Sequence, residues 1–128
     1  FGEYHGVKIG VRGELPEELS LETVLDLLDL RDEAAVSILP FGNKKIKRVG
    51  IISGGAAGEV SQALDGGLDL YITGETAHQM YHTCLEGGIN VIAGGHYNTE
   101  TYGPKLVAEK LSAELGIQTS FIDYPTGL

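Results

Sequence analysis

The chain is poor in cysteine, tryptophan and basic residues, and it has no long apolar run. Each of these features excludes a class of protein. Its 128 residues contain one cysteine and no tryptophan, and only 9 Lys and Arg against 18 Asp and Glu. A single cysteine excludes an internal disulfide framework and favours a cytoplasmic setting. The net charge of −9 argues against nucleic-acid binding, which needs a basic face. No apolar run approaches the roughly 20 residues of a membrane helix, so we expect no membrane association.

The start of the chain and its one basic cluster add to what the composition indicates. The chain begins at Phe1 without an initiator Met and without a signal-peptide pattern, so we expect it to be part of a longer protein. Its length suits a single domain. The basic residues between Lys44 and Arg48 mark either the solvated start of a strand or an anion or partner patch.

Short apolar segments bounded by glycines alternate with helical patterns along the chain. Strands are predicted over residues 6–13, 34–39, 49–53, 68–72, 89–93 and 119–122. Helices are predicted from Leu21, with Ser20 as N-cap, over residues 56–64 and 75–86, and through Glu114 with Gly116 as the stop. The alternation predicts a three-layer α/β sandwich, with a mostly parallel, possibly mixed sheet covered by helices on both faces.

Polar turns follow three of the predicted strands, at residues 53–58, 73–75 and 94–96. Ligands of such sheets gather at the carboxyl ends of the strands. His96 and Glu100 are four residues apart, so in a helix they lie on one face, one turn apart. Imidazole with carboxylate suits zinc, manganese, iron or nickel, but a stable centre needs at least three protein ligands. The pair therefore predicts half of a transition-metal site.

The loop over residues 53–58 offers a different possibility, because it follows a strand and opens a helix. Its backbone amides could hold an anion. It lacks the Gly-x-Gly-x-x-Gly spacing and the Lys-Ser or Lys-Thr of a phosphate loop, however. We therefore rank three interpretations of this loop: a plain strand-to-helix turn first, an anion-binding turn second, and part of a nucleotide-binding domain third.

The helix predicted after Thr73 carries a further group of candidates. Glu75, His78 and His82 lie at i, i+3 and i+7 and would share one face. His78 and His82 have the i, i+4 spacing of metal-binding helices, but without the Glu that zinc proteases place next to the first His. Glu75 and His78 are candidates for the site, and His82 is expected at the surface or in helix packing. Cys84 is expected in the core, and the sequence identifies no partner for His5.

Four segments resemble the C-terminal half of the dinuclear metal centre family, whose members are described as NGG-interacting-factor-like proteins or as GTP cyclohydrolase I type 2. The specific part is a Thr-Gly-Glu piece followed, about twenty residues later, by Gly-His-x-x-Thr-Glu. The resembling segments are residues 10–16, 47–55, 69–75 and 93–100.

The resemblance implies a site and an assembly. It implies a homo-oligomeric ring, usually a hexamer, with two divalent metal ions held between two α/β lobes. His96 and Glu100 map onto metal ligands, and Glu75 and His78 onto residues that line the same cleft. The other ligands, a His-His pair and an Asp, belong to the family's N-terminal half, and this chain has no His-His pair. Residues 1–128 are therefore expected to be the C-terminal lobe of a two-lobe protein.

The function that the resemblance implies is a metal-dependent hydrolase, of the GTP cyclohydrolase I type 2 kind, in the intact protein. No catalytic side chain is identified. With only part of the ligand set, this chain is expected to hold metal weakly and to be inactive. The alternative is a non-catalytic metal-binding or regulatory scaffold that forms rings and binds protein partners.

Overall fold

The computed structural model describes residues 1–28, 30 and 36–126. The strands are β1 (Glu3–Tyr4), β2 (Val7–Lys8), β3 (Val11–Leu19), β4 (Ser37–Pro40), β5 (Ile46–Ile51), β6 (Leu70–Thr73) and β7 (Asn90–Ala93). The α-helices are α1 (Leu21–Leu28), α2 (Val60–Asp65), α3 (His78–Gly87) and α4 (His96–Leu115), and a 3₁₀ turn spans Ala57–Glu59. None of the described helices is long and apolar enough to cross a bilayer.

Five strands form one mixed sheet in the order β3-β5-β6-β7-β4. The three central strands are parallel, with Gly50 opposite Tyr71 and Tyr71 opposite Val91. The edge strands β3 and β4 are antiparallel to their neighbours. Every residue of β6 and β7 is buried, which explains why these segments read as continuous apolar runs. The carboxyl ends of β5, β6 and β7 therefore meet at one edge of the sheet.

Apolar side chains pack against both faces of the sheet. Tyr71 and Val91 point to one face, where they meet buried residues of α2 and α3, among them Cys84. Leu70, Ile72 and Ile92 belong to the cluster on the other face, which includes Val24 and Leu25 of α1. The split follows from the period of two along a strand. It confirms the predicted sandwich with helices on both faces, and it confirms Cys84 as a core residue.

The helix ends follow the predicted capping residues. The Ser20 hydroxyl accepts a hydrogen bond from the backbone N–H of Thr23 at 3.2 Å. Gly88 and Gly116 end α3 and α4 in the left-handed conformation. These boundaries depend on local chemistry, and the sequence predicted them correctly.

The strand predicted over residues 119–122 was wrong. This segment has no strand in the structure and runs beside α4, where the Thr119 hydroxyl donates to the Ala108 carbonyl at 3.2 Å. Its apolar composition does not reflect burial, since Ile122 is 86% exposed. The segment lies against α4, outside the five-strand sheet, so its backbone does not join a strand ladder.

The single strand predicted over residues 6–13 was also wrong. A turn at His5 and Gly6 makes a small hairpin of β1 and β2, and β3 begins only at Val11. β3 then continues past Pro16, which lies in the irregular stretch between Glu14 and Leu19 of this edge strand, where the regular pairing with β5 is interrupted. The strand predicted from residue 34 is observed from Ser37, and residues 34 and 35 lie outside the described part of the chain.

Two predicted helices begin later than expected. The helix predicted from residue 75 begins at His78, so Glu75 lies in the preceding loop and does not share a helix face with His78 and His82. The helix predicted from residue 56 opens with the 3₁₀ turn and becomes α-helical at Val60.

Candidate metal centre

The backbone ladder between β6 and β7 continues beyond the ends of both strands. The N–H of Gly94 donates to the Thr73 carbonyl at 2.9 Å, and the N–H of Gly95 donates to the Gly74 carbonyl at 3.0 Å. This extra pairing keeps the two turns side by side. It places Glu75, which follows one turn, next to His96, which begins α4 after the other.

The His96 imidazole lies between two carboxylates. Its Nδ1 atom contacts Oε1 of Glu75, and its Nε2 atom is 3.2 Å from Oε1 of Glu100. Glu100 follows His96 by one turn of α4, as the i, i+4 spacing predicted. The His96 side chain is 38% exposed, so it faces solvent at the sheet edge and does not pack in the core. The structure thus brings three of the four predicted residues together.

The turn after β5 forms the floor beneath this cluster. Gly54 has a φ of +69°, which favours glycine. A Cβ atom on Gly54 would lie 2.6 Å from Oε1 of Glu100 and 3.1 Å from Nε2 of His96. Only a residue without a side chain leaves the space between this nitrogen and this oxygen open.

Thr99 holds that floor in position, although sequence reasoning assigned it no role. Its Oγ1 atom accepts a hydrogen bond from the Gly54 N–H at 3.0 Å, and its hydroxyl lies 2.9 Å from the Gly95 carbonyl. The Gly54 carbonyl in turn accepts from the N–H of Gly74 at 2.9 Å. The sequence feature that could have indicated this role is the position of Thr99 within the Gly-His-x-x-Thr-Glu motif, directly before Glu100.

His78, the fourth predicted residue, makes no hydrogen bond or ion pair with His96. It is exposed at the start of α3 and lines a neighbouring recess together with His82. His5 lies elsewhere, with its ring 4.3 Å from that of Tyr4 between centroids. Cys84 is buried in the core, where burial raises the pKa of its thiol. A buried neutral thiol suits neither metal binding nor nucleophilic attack.

The carboxylates around His96 change its acid–base behaviour. The hydrogen bond to Glu75 is the largest influence that raises the pKa of His96, and the charge of Glu100 adds to it. A metal ion needs the neutral imidazole, so a proton and a metal compete for this ring. The same carboxylate that attracts the proton can also orient Nδ1–H and leave Nε2 free for a metal ion.

His96 and Glu100 carry the two donor atoms that the sequence predicts for half a metal site. A nitrogen and a carboxylate oxygen converge above Gly54, with Glu75 behind the ring. Within the described ranges, no group of three or more His, Cys, Asp or Glu side chains is arranged to hold a metal ion. The donor set therefore fits a transition-metal ion in part, and a complete centre needs ligands from outside the described residues.

Comparison with known proteins adds the family context. The model of the family described as Duf34/NIF3 (NGG1p interacting factor 3) matches residues 2–126. The chain is 52% identical over 110 residues to a GTP cyclohydrolase 1 type 2 homolog of Treponema pallidum, covering 86% of this chain and 38% of the relative. It is 41% identical over 128 residues to the homolog of that name in Deinococcus radiodurans, covering 100% of this chain and 49% of the relative.

Solved structures show the same architecture. The protein ybgI, of unknown function, superposes with a TM-score of 0.81 at 26% identity, over 95% of this chain and 50% of that one. TTHA1606 from Thermus thermophilus superposes with a TM-score of 0.77 at 36% identity, over 96% of this chain and 48% of that one. The chain spans about half the length, or less, of these relatives.

Proposed function

The chain belongs to the Duf34/NIF3 (NGG1p interacting factor 3) family, and from that premise we propose that it is a metal-binding lobe of a dinuclear-metal-dependent hydrolase. The single observation that carries the proposal is the His96 ring, whose Nε2 atom faces the Glu100 carboxylate over the open floor at Gly54. His96 and Glu100 would hold the metal, with zinc, manganese, iron and nickel all suited to these donors.

Each side chain of the cluster has a distinct part in the proposal. Glu75 accepts the Nδ1–H of His96, which fixes the tautomer and the ring orientation and leaves the Nε2 lone pair outward. Glu100 supplies a negative oxygen on the same side of the ring. Metal ions held there by His96 and Glu100, together with ligands from the other lobe, would lower the pKa of a water molecule for hydrolysis. The chain's own residues bind and orient, and none of them is assigned as a general acid or base.

The intact protein would complete the site from its other lobe. Relatives of about twice this length carry the name GTP cyclohydrolase 1 type 2 homolog, which names a purine nucleotide as a candidate substrate class. Two protein ligands hold an ion weakly, because each missing ligand removes a bond and the preorganisation of the others. This chain alone is therefore expected to bind metal weakly and to show no appreciable hydrolase activity.

Calorimetric titration tests the proposal in two proteins, this chain and the full-length Deinococcus radiodurans relative. Zinc and manganese should bind tightly, with two ions per chain, only in the full-length protein. In this chain the weak binding that changes the His96 ring signals in NMR spectra should be lost in Glu100→Gln and kept in Glu109→Gln, a change at an exposed residue farther along the same helix. Tight binding of two ions by this chain as a monomer would contradict the proposal.

A second candidate function is a non-catalytic, ring-forming scaffold that binds protein partners. The observation that favours it is the exposed apolar surface of α4, where Val107 is 59% and Leu115 is 65% exposed. An isolated lobe with such a surface is suited to association. Turnover of GTP or a phosphoester by the full-length relative, dependent on metal and lost when the Glu corresponding to Glu100 is changed, would decide for the hydrolase. Metal binding and ring assembly without turnover would decide for the scaffold.

A further inference from the structure

A second pair of histidines lies on α3, away from the His96 ring. The helix begins at His78, and His82 follows one turn later, so both side chains project from the same face. Both residues are exposed, and both line one recess of about 500 Å³. The structure therefore adds to the bare i, i+4 spacing a shared, solvent-accessible recess.

The recess opens at the same edge of the sheet as the candidate metal centre. One of its walls is Ser37, which pairs with Ala93 at the end of β7. Another is Thr76, which directly follows Glu75. Two hydroxyl-bearing residues and Leu39 therefore line the recess together with the two histidines.

Neither histidine is needed to hold the fold together. His78 and His82 make no hydrogen bond or ion pair with any described residue, and His82 has only an edge contact with the Tyr81 ring, at 5.4 Å between centroids. Both imidazoles are therefore accessible to a ligand from solvent. Free imidazoles one helical turn apart can both coordinate one ion.

We propose that His78 and His82 form a second divalent-metal site, separate from His96 and Glu100. Paired imidazoles select borderline transition metals such as Zn²⁺, Ni²⁺ and Cu²⁺ over Mg²⁺ and Ca²⁺. No third His, Cys, Asp or Glu of the described residues joins the pair. Water fills the other positions, so the ion is held by two protein bonds and exchanges readily. The proposal is independent of the proposed hydrolase function.

Nickel titration in a His96→Ala background tests the site, because this background removes the candidate metal centre. Binding is measured by calorimetry, and the histidine side-chain signals are followed by NMR. We expect one Ni²⁺ per chain and paramagnetic broadening of the His78 and His82 signals together. Adding His82→Ala should weaken the binding about tenfold or more. Adding His5→Ala, a change at an exposed histidine elsewhere, should leave the affinity unchanged.

A transposed variant separates pairing from composition. His82→Thr with Thr83→His keeps the residue content but moves the second imidazole to i+5, off the shared face, and should weaken binding as much as His82→Ala does. Far-UV circular dichroism checks that α3 is intact in each variant. Nickel affinity that survives the transposition, that is already lost in the His96→Ala background, or that leaves the His78 and His82 signals sharp at millimolar Ni²⁺ would overturn the second site.

Discussion

Gly54 lies so close to the Glu100 side chain that a methyl group on the glycine would be 2.6 Å from the carboxylate oxygen Oε1. The two residues are far apart in sequence and meet because β5 and α4 end and begin at the same edge of the sheet. The nearest atom belongs to the end of a flexible, half-exposed side chain, so Glu100 can swing away. A substitution at Gly54 therefore acts on the site more than on the fold.

Gly54→Ala should leave the protein folded but weaken zinc binding. The positive φ of Gly54 costs an alanine about 1–2 kcal/mol, and the added methyl group displaces Glu100 from Nε2 of His96. Urea denaturation measures the stability, and the change in the His96 ring signals in NMR spectra measures the zinc affinity at this site. Gly58→Ala is the matched control, because a Cβ atom there meets nothing within 4 Å. Equal zinc affinity in the two variants would contradict the role of Gly54.

Glu75→Gln should lower the pKa of His96, as measured by NMR titration of its ring signals. The hydrogen bond to Glu75 is the largest influence that raises this pKa, so its neutralisation should matter more than Glu100→Gln. The raised pKa of His96 also makes the stability of the folded state depend on pH. A raised pKa stabilises the folded state below the unfolded value of about 6.5, and this stabilisation is lost as the pH rises through the folded value. Glu86→Gln, at an exposed site on α3, should change nothing.

Asp69→Asn should destabilise the fold, far from the candidate metal centre. The buried carboxylate accepts hydrogen bonds from the N–H of Arg48 at 2.8 Å and of Lys47 at 3.1 Å. Burial alone would raise the pKa of Asp69. These hydrogen bonds and the Arg48 side chain have the opposite and larger combined effect, so the pKa lies below its usual value. In Asn the carbonyl oxygen can still accept from both backbone N–H groups, but the NH2 group then faces the Arg48 guanidinium, which donates to Oδ1 of Asp69 at 3.3 Å. Loss of this acceptor and of the charge should cost about 1–3 kcal/mol.

The pH dependence of this loss distinguishes it from a packing defect. A lowered pKa stabilises the folded state above the unfolded value of about 3.9, and this stabilisation is lost as the pH falls through the folded value. Urea denaturation should therefore show a large difference between wild type and Asp69→Asn at pH 7 and a small one near pH 3. Asp65→Asn, at an exposed position, is the control. A difference that is constant with pH would exclude the carboxylate as its cause.

The apolar stripe on α4 should drive self-association. Val107, Leu111 and Leu115 recur every four residues and are 59%, 38% and 65% exposed. Sedimentation should give a mass above that of the 13.6 kDa monomer, and Leu111→Glu with Leu115→Glu should restore the monomer. Lys110→Glu, on the same helix, controls for the change in charge. A monomer at micromolar concentration in the wild-type chain would count against association through α4.

Much of the fold could be predicted because it depends on local patterns. The buried runs of β6 and β7 and the terminating Gly88 and Gly116 each carry their signal within a few residues. The hairpin at His5, the continuation of β3 past Pro16 and the absence of a strand in the described residues after Gly116 could not be predicted. They depend on how distant segments of the chain pair and pack against one another, which is a property of the folded structure.

The contacts of the candidate site also fall into two groups, those that the sequence predicts and those that only the folded structure shows. The sequence by itself determined that His96 and Glu100 share a face, because a helix of 3.6 residues per turn brings i and i+4 together whatever surrounds it. Only the tertiary structure decided that Glu75 meets His96 across the extended β6–β7 ladder, that Thr99 anchors Gly54, and that Ser37 of β4 lines the recess of His78 and His82. These contacts join residues from different elements, and the position of one element against another is set by packing of the whole sheet and its helices, which no local period encodes.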